Sequence, residues 1–285
     1  MLFRSGAGTL TTGASEVLSD TATLTVSSNA IFKLGGNETV GGLNAIFGSF
    51  INLQGNTLTA GGNNTSFTNG ATITGTGALV KNGTGQMYFN NSANTFSGGF
   101  VLNSGEVAYT SSGAAAGGVI TNTVFGLGTV TLNGGSFGSS SSSSGRNLHN
   151  SVILNGNIQF GQTAWGASTT NLNGGTPNLT VTTTGGGATT LAGNSTINTI
   201  GSLQWDQPIS GNYRITKTGT GAVALSNNLL LLRASNNIAG VTVASGIVGY
   251  KNRNAFGTGT LILGDGVVVG QDGTDRKSTR LNSSH

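Results

Sequence analysis

Apolar residues alternate with polar residues in short runs along most of the chain. Between Gly75 and Gly135 these runs read ALVK, QMYF, FVL and TVTL, and Asn follows each of them, as Asn-Gly in two. A period of two that is closed by turn residues is typical of short strands with one buried face. No apolar period of 3.6 residues is sustained anywhere, so the pattern predicts an all-β protein.

The same pattern returns in the same order between Gly211 and Gly266. Matching positions carry matching apolar residues: Leu79, Phe89, Leu102 and Leu132 in the first copy, and Ile215, Leu225, Val243 and Leu263 in the second. A repeated unit that cannot bury its apolar face alone must stack on its neighbours. We therefore expect these eight side chains to share one interior, and Tyr109 and Tyr250 to pack at equivalent positions.

The repeat has three Gly-rich turn motifs besides its strands. They are Lys81 to Gly85 (KNGTG), Asn94 to Gly99 (NTFSGG) and Gly126 to Gly135 (GLGTVTLNGG), with Thr218 to Gly221 and Gly257 to Gly266 as second-copy matches. These motifs, with the lead-in Leu18 to Leu43, resemble the autotransporter-associated β-strand repeat, also called the passenger-associated transport repeat. By a rough count the resemblance covers four fifths of the chain.

The resemblance implies a stalk in the passenger domain of a bacterial autotransporter. Such a segment would be secreted or exposed at the outer-membrane surface, and would serve adhesion or presentation. Its expected partners are glycans or proteins of a host or cell surface, and a β-barrel translocator is expected outside this sequence. The other functional class considered is a fragment of a carbohydrate-active β-helix enzyme, either a polysaccharide lyase or a glycosidase.

The expected fold is a right-handed parallel β-helix. At about 20–25 residues per coil, residues 6–274 would make roughly eleven to thirteen coils. The alternative is a β-sandwich of hairpins, which the many Asn-Gly pairs favour. SVILNGNIQF, from Ser151 to Phe160, is either a hairpin or two strands of one coil that meet at a bend, and we prefer the bend. The Ser-rich stretch 138–145 is expected to be a flexible loop.

Both ends differ in character from the repeat. Asp275 to His285 (DRKSTRLNSSH) and Leu2 to Ser5 (LFRS) resemble translated sequencing adapter, so residues 1–5 and 275–285 are interpreted as not native and 6–274 as a fragment of a longer protein. Without them the 12 basic residues fall by four to 8 and the 8 acidic residues by one to 7, a net charge of +1. The remaining basic residues are scattered, which argues against a nucleic-acid-binding surface.

The composition of the chain argues against several kinds of catalytic or metal-binding site. The chain has no Cys and only 7% charged residues, so it has neither disulfides nor thiolates. No apolar run is long enough to span a membrane. His149 is the only histidine of 6–274, which excludes a multi-histidine metal site in that segment and makes a serine triad improbable. We expect His149 to be a solvated turn residue.

The remaining candidate groups are acidic and aromatic. The acids of 6–274 are Glu16, Asp20, Glu38, Glu106, Asp206, Asp265 and Asp272. Glu16 and Glu38 are about one coil apart and are the best candidates for a glycosidase pair, although two surface residues are the simpler expectation. Trp165 and Trp205, the latter followed by Asp206 and Gln207, could stack on sugars, but burial is the expected role. We predict no catalytic, cofactor-binding or metal-binding residue and no enzyme activity.

Deletion of Leu2–Ser5 and Asp275–His285 tests the interpretation of the two ends. Because neither segment follows the repeat pattern, the deletion should leave the circular dichroism spectrum and the thermal midpoint unchanged. A clear fall in the midpoint would show that these residues contribute to the folded protein.

Overall fold

The computed structural model describes residues 2–5, 8–139, 145–161, 179–219 and 229–271. These residues form strands, turns and loops, and none of them belongs to a helix that could cross a membrane. The strands up to residue 102 are β1 Leu2–Ser5, β2 Gly8–Thr11, β3 Thr23–Val26, β4 Ala30–Lys33, β5 Glu38–Val40, β6 Gly42–Ala45, β7 Phe50–Asn52, β8 Thr57–Ala60, β9 Phe67–Asn69, β10 Thr72–Thr74, β11 Ala78–Lys81, β12 Gln86–Phe89 and β13 Phe100–Leu102.

The second half of the described chain continues in the same manner. Its strands are β14 Glu106–Tyr109, β15 Ala114–Ala116, β16 Val119–Asn122, β17 Val130–Ser139, β18 Arg146–Leu148, β19 Val152–Phe160, β20 Leu179–Val181, β21 Thr189–Leu191, β22 Ser195–Thr199, β23 Leu203–Trp205, β24 Ile209–Thr218, β25 Leu229–Leu232, β26 Asn237–Val243, β27 Ile247–Tyr250, β28 Thr260–Leu263 and β29 Val268–Gln271.

The strands stack into a parallel β-helix with three faces. Face 1 runs from β1 through β3, β6, β9, β12 and β14 to β28, and face 2 runs from β5 through β8, β11 and β13 to β21 and the start of β24. Face 3 consists of two blocks, β2-β4-β7-β10 and β18-β20-β23-β25-β27-β29. All of these pairs between coils are parallel, which confirms the β-helix and rules out the β-sandwich.

The described residues make about ten turns, against the expected eleven to thirteen. Some coils are longer than 20–25 residues: Glu106 lies opposite Ser136 in the next coil, and Gln159 lies opposite Asn198. The first of these long coils contains the antiparallel hairpin of β15 and β16, which leaves the rod and returns to it. Longer coils mean fewer turns for the same length of chain.

Strand β19 resolves the two interpretations of SVILNGNIQF. Val152 to Leu154 pair with β17 on face 2, and Asn157 to Phe160 pair with the same strand on face 1. Both halves are parallel to β17, and the register shifts once between them. The segment is therefore two strands of one coil that meet at a bend, as preferred, and not a hairpin.

The predicted interior positions are largely confirmed. Six of the eight are fully buried in one continuous core: Leu79, Phe89, Leu102, Leu132, Ile215 and Val243. Leu263 is only partly buried, because β28 is the last strand of face 1 among the described residues and no further described strand covers it. Leu225 lies outside the described residues. Alternation alone therefore identified the inward side of the strands that carry these six residues.

The second copy of the repeat is rotated by one face relative to the first. Leu79 and Leu102 belong to face 2, where β11 pairs with β13. Their counterparts Ile215 and Val243 belong to face 1, where β24 pairs with β22 and β26. Inward side chains from all three faces meet in one column, so the same pattern of alternation fits any face.

Aromatic rings form a ladder inside the middle coils. Edge-on or tilted contacts, with ring centroids 5.1–6.3 Å apart, connect Phe89, Phe100, Phe125, Phe137, Phe160 and Trp205. Tyr109 contacts Phe125 at 5.2 Å, and Tyr250 contacts Phe256 at the same 5.2 Å in the second copy. The two tyrosines therefore have equivalent packing roles, as expected.

The two ends and the Ser-rich stretch are only partly included in the described residues. Leu2–Ser5 form β1, whose backbone pairs in parallel with β3 over four residues, a pairing not expected from the sequence. Residues 275–285 lie outside the described residues. Of the stretch 138–145, Gly138 and Ser139 end β17, and 140–144 also lie outside the described residues.

Truncation of an inward leucine tests the assignment of faces. Leu132→Ala should lower the free energy of unfolding by about 2–5 kcal/mol, because a buried leucine leaves a cavity in the column. Thr131→Ala, one residue earlier and pointing outward, is the matched control and should cost less than about 1 kcal/mol. Urea unfolding followed by circular dichroism measures both, and equal losses would contradict the assigned alternation.

Candidate functional site

Glu16 and Glu38 each bind the coil of the other. Glu38 accepts hydrogen bonds from the backbone N–H groups of Leu18 at 2.7 Å and Val17 at 3.2 Å. Glu16 accepts from the backbone N–H and the hydroxyl of Thr39, both at 3.1 Å. The two carboxylates thus form a reciprocal clasp that fastens the loop after β2 onto β5, where strand-to-strand backbone pairing is absent.

Glu38 is buried, which corrects the expectation of a surface residue. It is 1% exposed and occupies an inward position of β5, opposite Leu58. Burial raises the pKa of Glu38, the two backbone N–H groups lower it, and nearby Glu16 and Asp20 raise it further. A raised pKa beside a second carboxylate is the arrangement of a general acid. Here, however, both oxygens are held by the backbone and the group is enclosed, so a substrate cannot reach it.

The other acids are dispersed among the described residues. Glu106 lies next to Gln86 in the register of β12 and β14, not next to another acid. Asp206 accepts two hydrogen bonds from Gln204 and is 3.7 Å from Arg233 of the next coil. Asp265 is exposed in a turn, as expected, and Asp272 lies outside the described residues. None of these contacts joins two acids.

His149 is buried rather than solvated, which corrects a second expectation. It is 5% exposed, and loop residue Gly185 lies against it. Burial lowers the pKa of His149, and its Nδ1 has no hydrogen-bond partner. A neutral imidazole enclosed between coils is a packing group, because a general base would need access to a substrate proton.

Trp205 and Gln207 are interior residues. The Trp205 indole donates to the Thr189 hydroxyl at 3.0 Å, and its ring packs against Phe160. The Gln207 amide donates to the carbonyl oxygens of Asn150 at 2.8 Å and Thr182 at 3.0 Å. The expected structural role of Trp205 is confirmed, and Trp165 lies outside the described residues.

Lys81 is a buried functional group that the sequence analysis missed. It is fully enclosed at an inward position of β11, where the neighbouring coils carry Ala60 and Leu102. Its ammonium donates to the backbone carbonyls of Asn82 at 2.5 Å, Gly83 at 2.9 Å and Ser104 at 3.4 Å. These carbonyls belong to turns that no strand pairing satisfies, so the lysine holds two successive turns together.

Lys217 repeats this arrangement in the second copy. It is also fully buried, and its ammonium donates to the carbonyl of Thr218. Burial lowers the pKa of both Lys81 and Lys217 from 10.5 to about 8. A signal was present in the sequence: each lysine is the next alternate residue after an inward apolar one, Leu79 or Ile215, and each precedes a Gly-rich turn.

Glycine is required where these turns approach the ammonium. Gly105 has a φ of +79°, and an added Cβ would lie 2.8 Å from the Lys81 Nζ and would also collide with the carbonyls of Gly83 and Gly85. A side chain there would displace the lysine from its carbonyls. Close packing of turn on turn thus explains the glycine of the Ser104-Gly105 pair.

Buried asparagines bridge coils in the gaps between strands. Asn94 accepts from the Ile73 N–H at 2.8 Å and donates to the Val124 carbonyl at 2.8 Å. Asn236, at the matching position of the second copy, accepts from the Ile209 N–H at 2.9 Å and donates to the Ala255 carbonyl at 2.6 Å. Each amide thus adds side-chain hydrogen bonds that connect three successive coils.

An open groove lies beside the β15–β16 hairpin. It has a volume of about 290 Å³ and is lined by Val119 and Ile120 of the hairpin and by Leu127, Thr129 and Ser151 of the rod, with glycines between them. The second copy has no such hairpin, since five residues separate Tyr250 from Phe256 where fifteen separate Tyr109 from Phe125. The lining has no charged or aromatic side chain, and so offers neither an acid–base pair nor a stacking platform for a sugar.

Within the described residues no three His, Asp or Glu side chains converge where they could hold a metal ion. Comparison of the chain with models of protein families, with curated proteins and with solved structures finds no significant similarity. Functional inference therefore depends on the chemistry of the rod itself.

The two buried lysines give stability a specific pH dependence. Their folded pKa of about 8 lies below the ordinary 10.5, so between these values the unfolded chain holds more protons than the folded one. The free energy of unfolding should therefore rise with pH across this interval, by at most about 1.4 kcal/mol per pH unit for each lysine. Denaturant unfolding from about pH 8 to about pH 9.5, below the ordinary titration of tyrosine, measures this slope.

The Lys81→Met/Lys217→Met double variant should have a flatter pH profile than the wild type. Lys251→Met is the matched control, because Lys251 is exposed in a turn and its loss should leave the profile unchanged. Parallel profiles of the wild type and the double variant would contradict burial of the two ammonium groups.

Proposed function

We propose that this chain is a non-catalytic, β-helical stalk segment of a secreted or surface-exposed bacterial protein, of the autotransporter-passenger type. Its role is to act as an extended spacer that presents other parts of the protein, and its outer surface serves adhesion. The observation that carries the proposal is that five buried polar or charged side chains bind backbone groups of their own or nearby coils: Glu38, Lys81, Asn94, Gln207 and Lys217.

The outer surface of the rod supports a binding role without catalysis. On face 2, outward positions of successive coils carry β-branched residues in register: Thr39, Thr59, Val80, Val101, Thr131, Ile153 and Thr190. Beside them, a ladder of exposed amides joins Asn82, Asn103, Asn133 and Asn155 at 2.7–3.1 Å. Such an uncharged, periodic surface suits weak contacts repeated along a glycan or a surface protein.

One observation favours the carbohydrate-active enzyme as second candidate. Glu38 has a raised pKa and Glu16 lies close enough to contribute to it, which is the first requirement for a general acid beside a second carboxylate. Against it, Glu38 is enclosed and both of its oxygens accept backbone hydrogen bonds. We therefore rank the stalk above the enzyme.

An activity panel distinguishes the two candidates. The purified protein should release neither reducing ends nor unsaturated products from pectins, alginates or glucans, because Glu38, the acid whose pKa is raised, is enclosed. Glu16→Gln and Glu38→Gln are the informative variants. Turnover by the wild type that disappears in both, while the circular dichroism spectrum is unchanged, would establish the enzyme and contradict the stalk.

The gene that surrounds this sequence tests the secreted location. An upstream signal peptide with a downstream β-barrel would support the autotransporter type. A cytoplasmic enzyme domain in the same reading frame would contradict it.

A further inference from the structure

Large, well-exposed apolar side chains cluster in two successive coils near the start of the rod. Nine such side chains occur in the described residues, and four of them belong to this cluster: Ile31 (37% exposed), Ile46 (49%), Phe47 (69%) and Phe50 (45%). We call these four the Phe47 patch. Isolated exposed apolar residues are ordinary, but a contiguous group marks a contact surface for a protein or a membrane.

The register of face 3 makes the patch contiguous. Ile31 of β4 lies directly opposite Phe50 of β7, and both point outward from the same parallel sheet. Ile46 and Phe47 occupy the turn that leads from β6 into β7, so they border the same corner of the rod. The patch is therefore a protruding edge and not a groove.

Several backbone groups of the turn that carries Phe47 are paired by hydrogen bonds. The backbone N–H and the hydroxyl of Ser49 donate to the Ile46 carbonyl at 3.0 Å and 2.6 Å. The Gly48 carbonyl accepts from the Asn29 N–H at 3.0 Å. Such a turn can enter an apolar medium without leaving these groups unpaired, which is the main cost of placing irregular backbone there.

Charge distinguishes between the surfaces that could cover the patch. Lys33 is the only ionisable residue in β2, β4, β7 and β10, and it lies two residues beyond Ile31 on the outward side of β4. Anionic lipid headgroups would supply its counter-charge. Two copies packed through this face would instead bring two Lys33 side chains together, and these four strands offer no acid to pair with them.

The shape of the Phe47 patch also favours a lipid bilayer over a protein partner. Phe47 protrudes at the tip of a turn, and a rigid partner would need a matching cavity, whereas the interface of a bilayer deforms around an aromatic side chain. Phenylalanine is among the residues that peripheral segments bury at the boundary between the headgroups and the acyl chains. We propose that the Phe47 patch inserts into the interface of an anionic lipid bilayer, with Lys33 binding the headgroups, so that the rod lies side-on against the membrane.

This lipid contact goes beyond the role of stalk and does not depend on it. Vesicle co-sedimentation tests it with the full chain, using phosphatidylcholine vesicles that contain a quarter phosphatidylglycerol and vesicles of pure phosphatidylcholine. The wild type should sediment with the anionic vesicles. Phe47→Ser/Phe50→Ser should reduce the partition coefficient by at least about tenfold, since two aromatic side chains no longer leave water. Lys33→Gln should reduce it by about fivefold on anionic vesicles and leave it unchanged on neutral ones.

Ile262→Ser is the matched control, because Ile262 is 46% exposed on β28, far along the rod from the patch. It should sediment like the wild type. Failure of the wild type to bind anionic vesicles would overturn the proposal, as would equal losses in the double serine variant and the control. Sedimentation velocity tests whether a second copy of the chain covers the patch instead. If the wild type forms a dimer, the double serine variant does not, and neither binds vesicles, the patch belongs to a contact between two copies.

Discussion

The structure depends on continuous hydrogen bonding from each coil to the next. A parallel strand satisfies its N–H and C=O groups through the coils above and below it. Where strands stop, side chains take over this bonding: Asn94 and Asn236 in the gaps between strands, and the Glu16–Glu38 pair in the first loop. The burial of Asn94, Asn236 and Glu38 follows from that role.

The same constraint explains why charged groups lie inside the rod. Lys81 and Lys217 occupy positions where alternation predicts an apolar residue, and their cost of desolvation is offset by hydrogen bonds to turn carbonyls. A buried ionisable group at a functional site is expected to face a cavity or a substrate path. Here each faces the backbone, which is the reason to favour a structural protein over an enzyme.

The distribution of exposed residues then separates the surfaces of the rod. The outward column of face 2 is uncharged and regular over seven coils, and all its residues except Thr190 are half-buried, which suits repeated weak contacts. The Phe47 patch on face 3 is local, apolar and protruding, and it has one cation beside it. These surfaces differ although the coils beneath them are built alike, because outward residues are free of the packing that makes the interior uniform.

The sequence by itself determined the strands, their inward positions and the stacking of coils. Alternation with a period of two requires one buried side, and a repeat that cannot bury that side alone must stack, so Leu79, Leu102 and Ile215 could be placed in the core. Only the tertiary structure decided which of three faces each strand joins, because inward residues of every face meet in the same column. The second copy consequently sits one face away from the first. The burial of Glu38, His149 and Lys81 was also decided there, because it depends on which turns and loops the neighbouring coils bring against them.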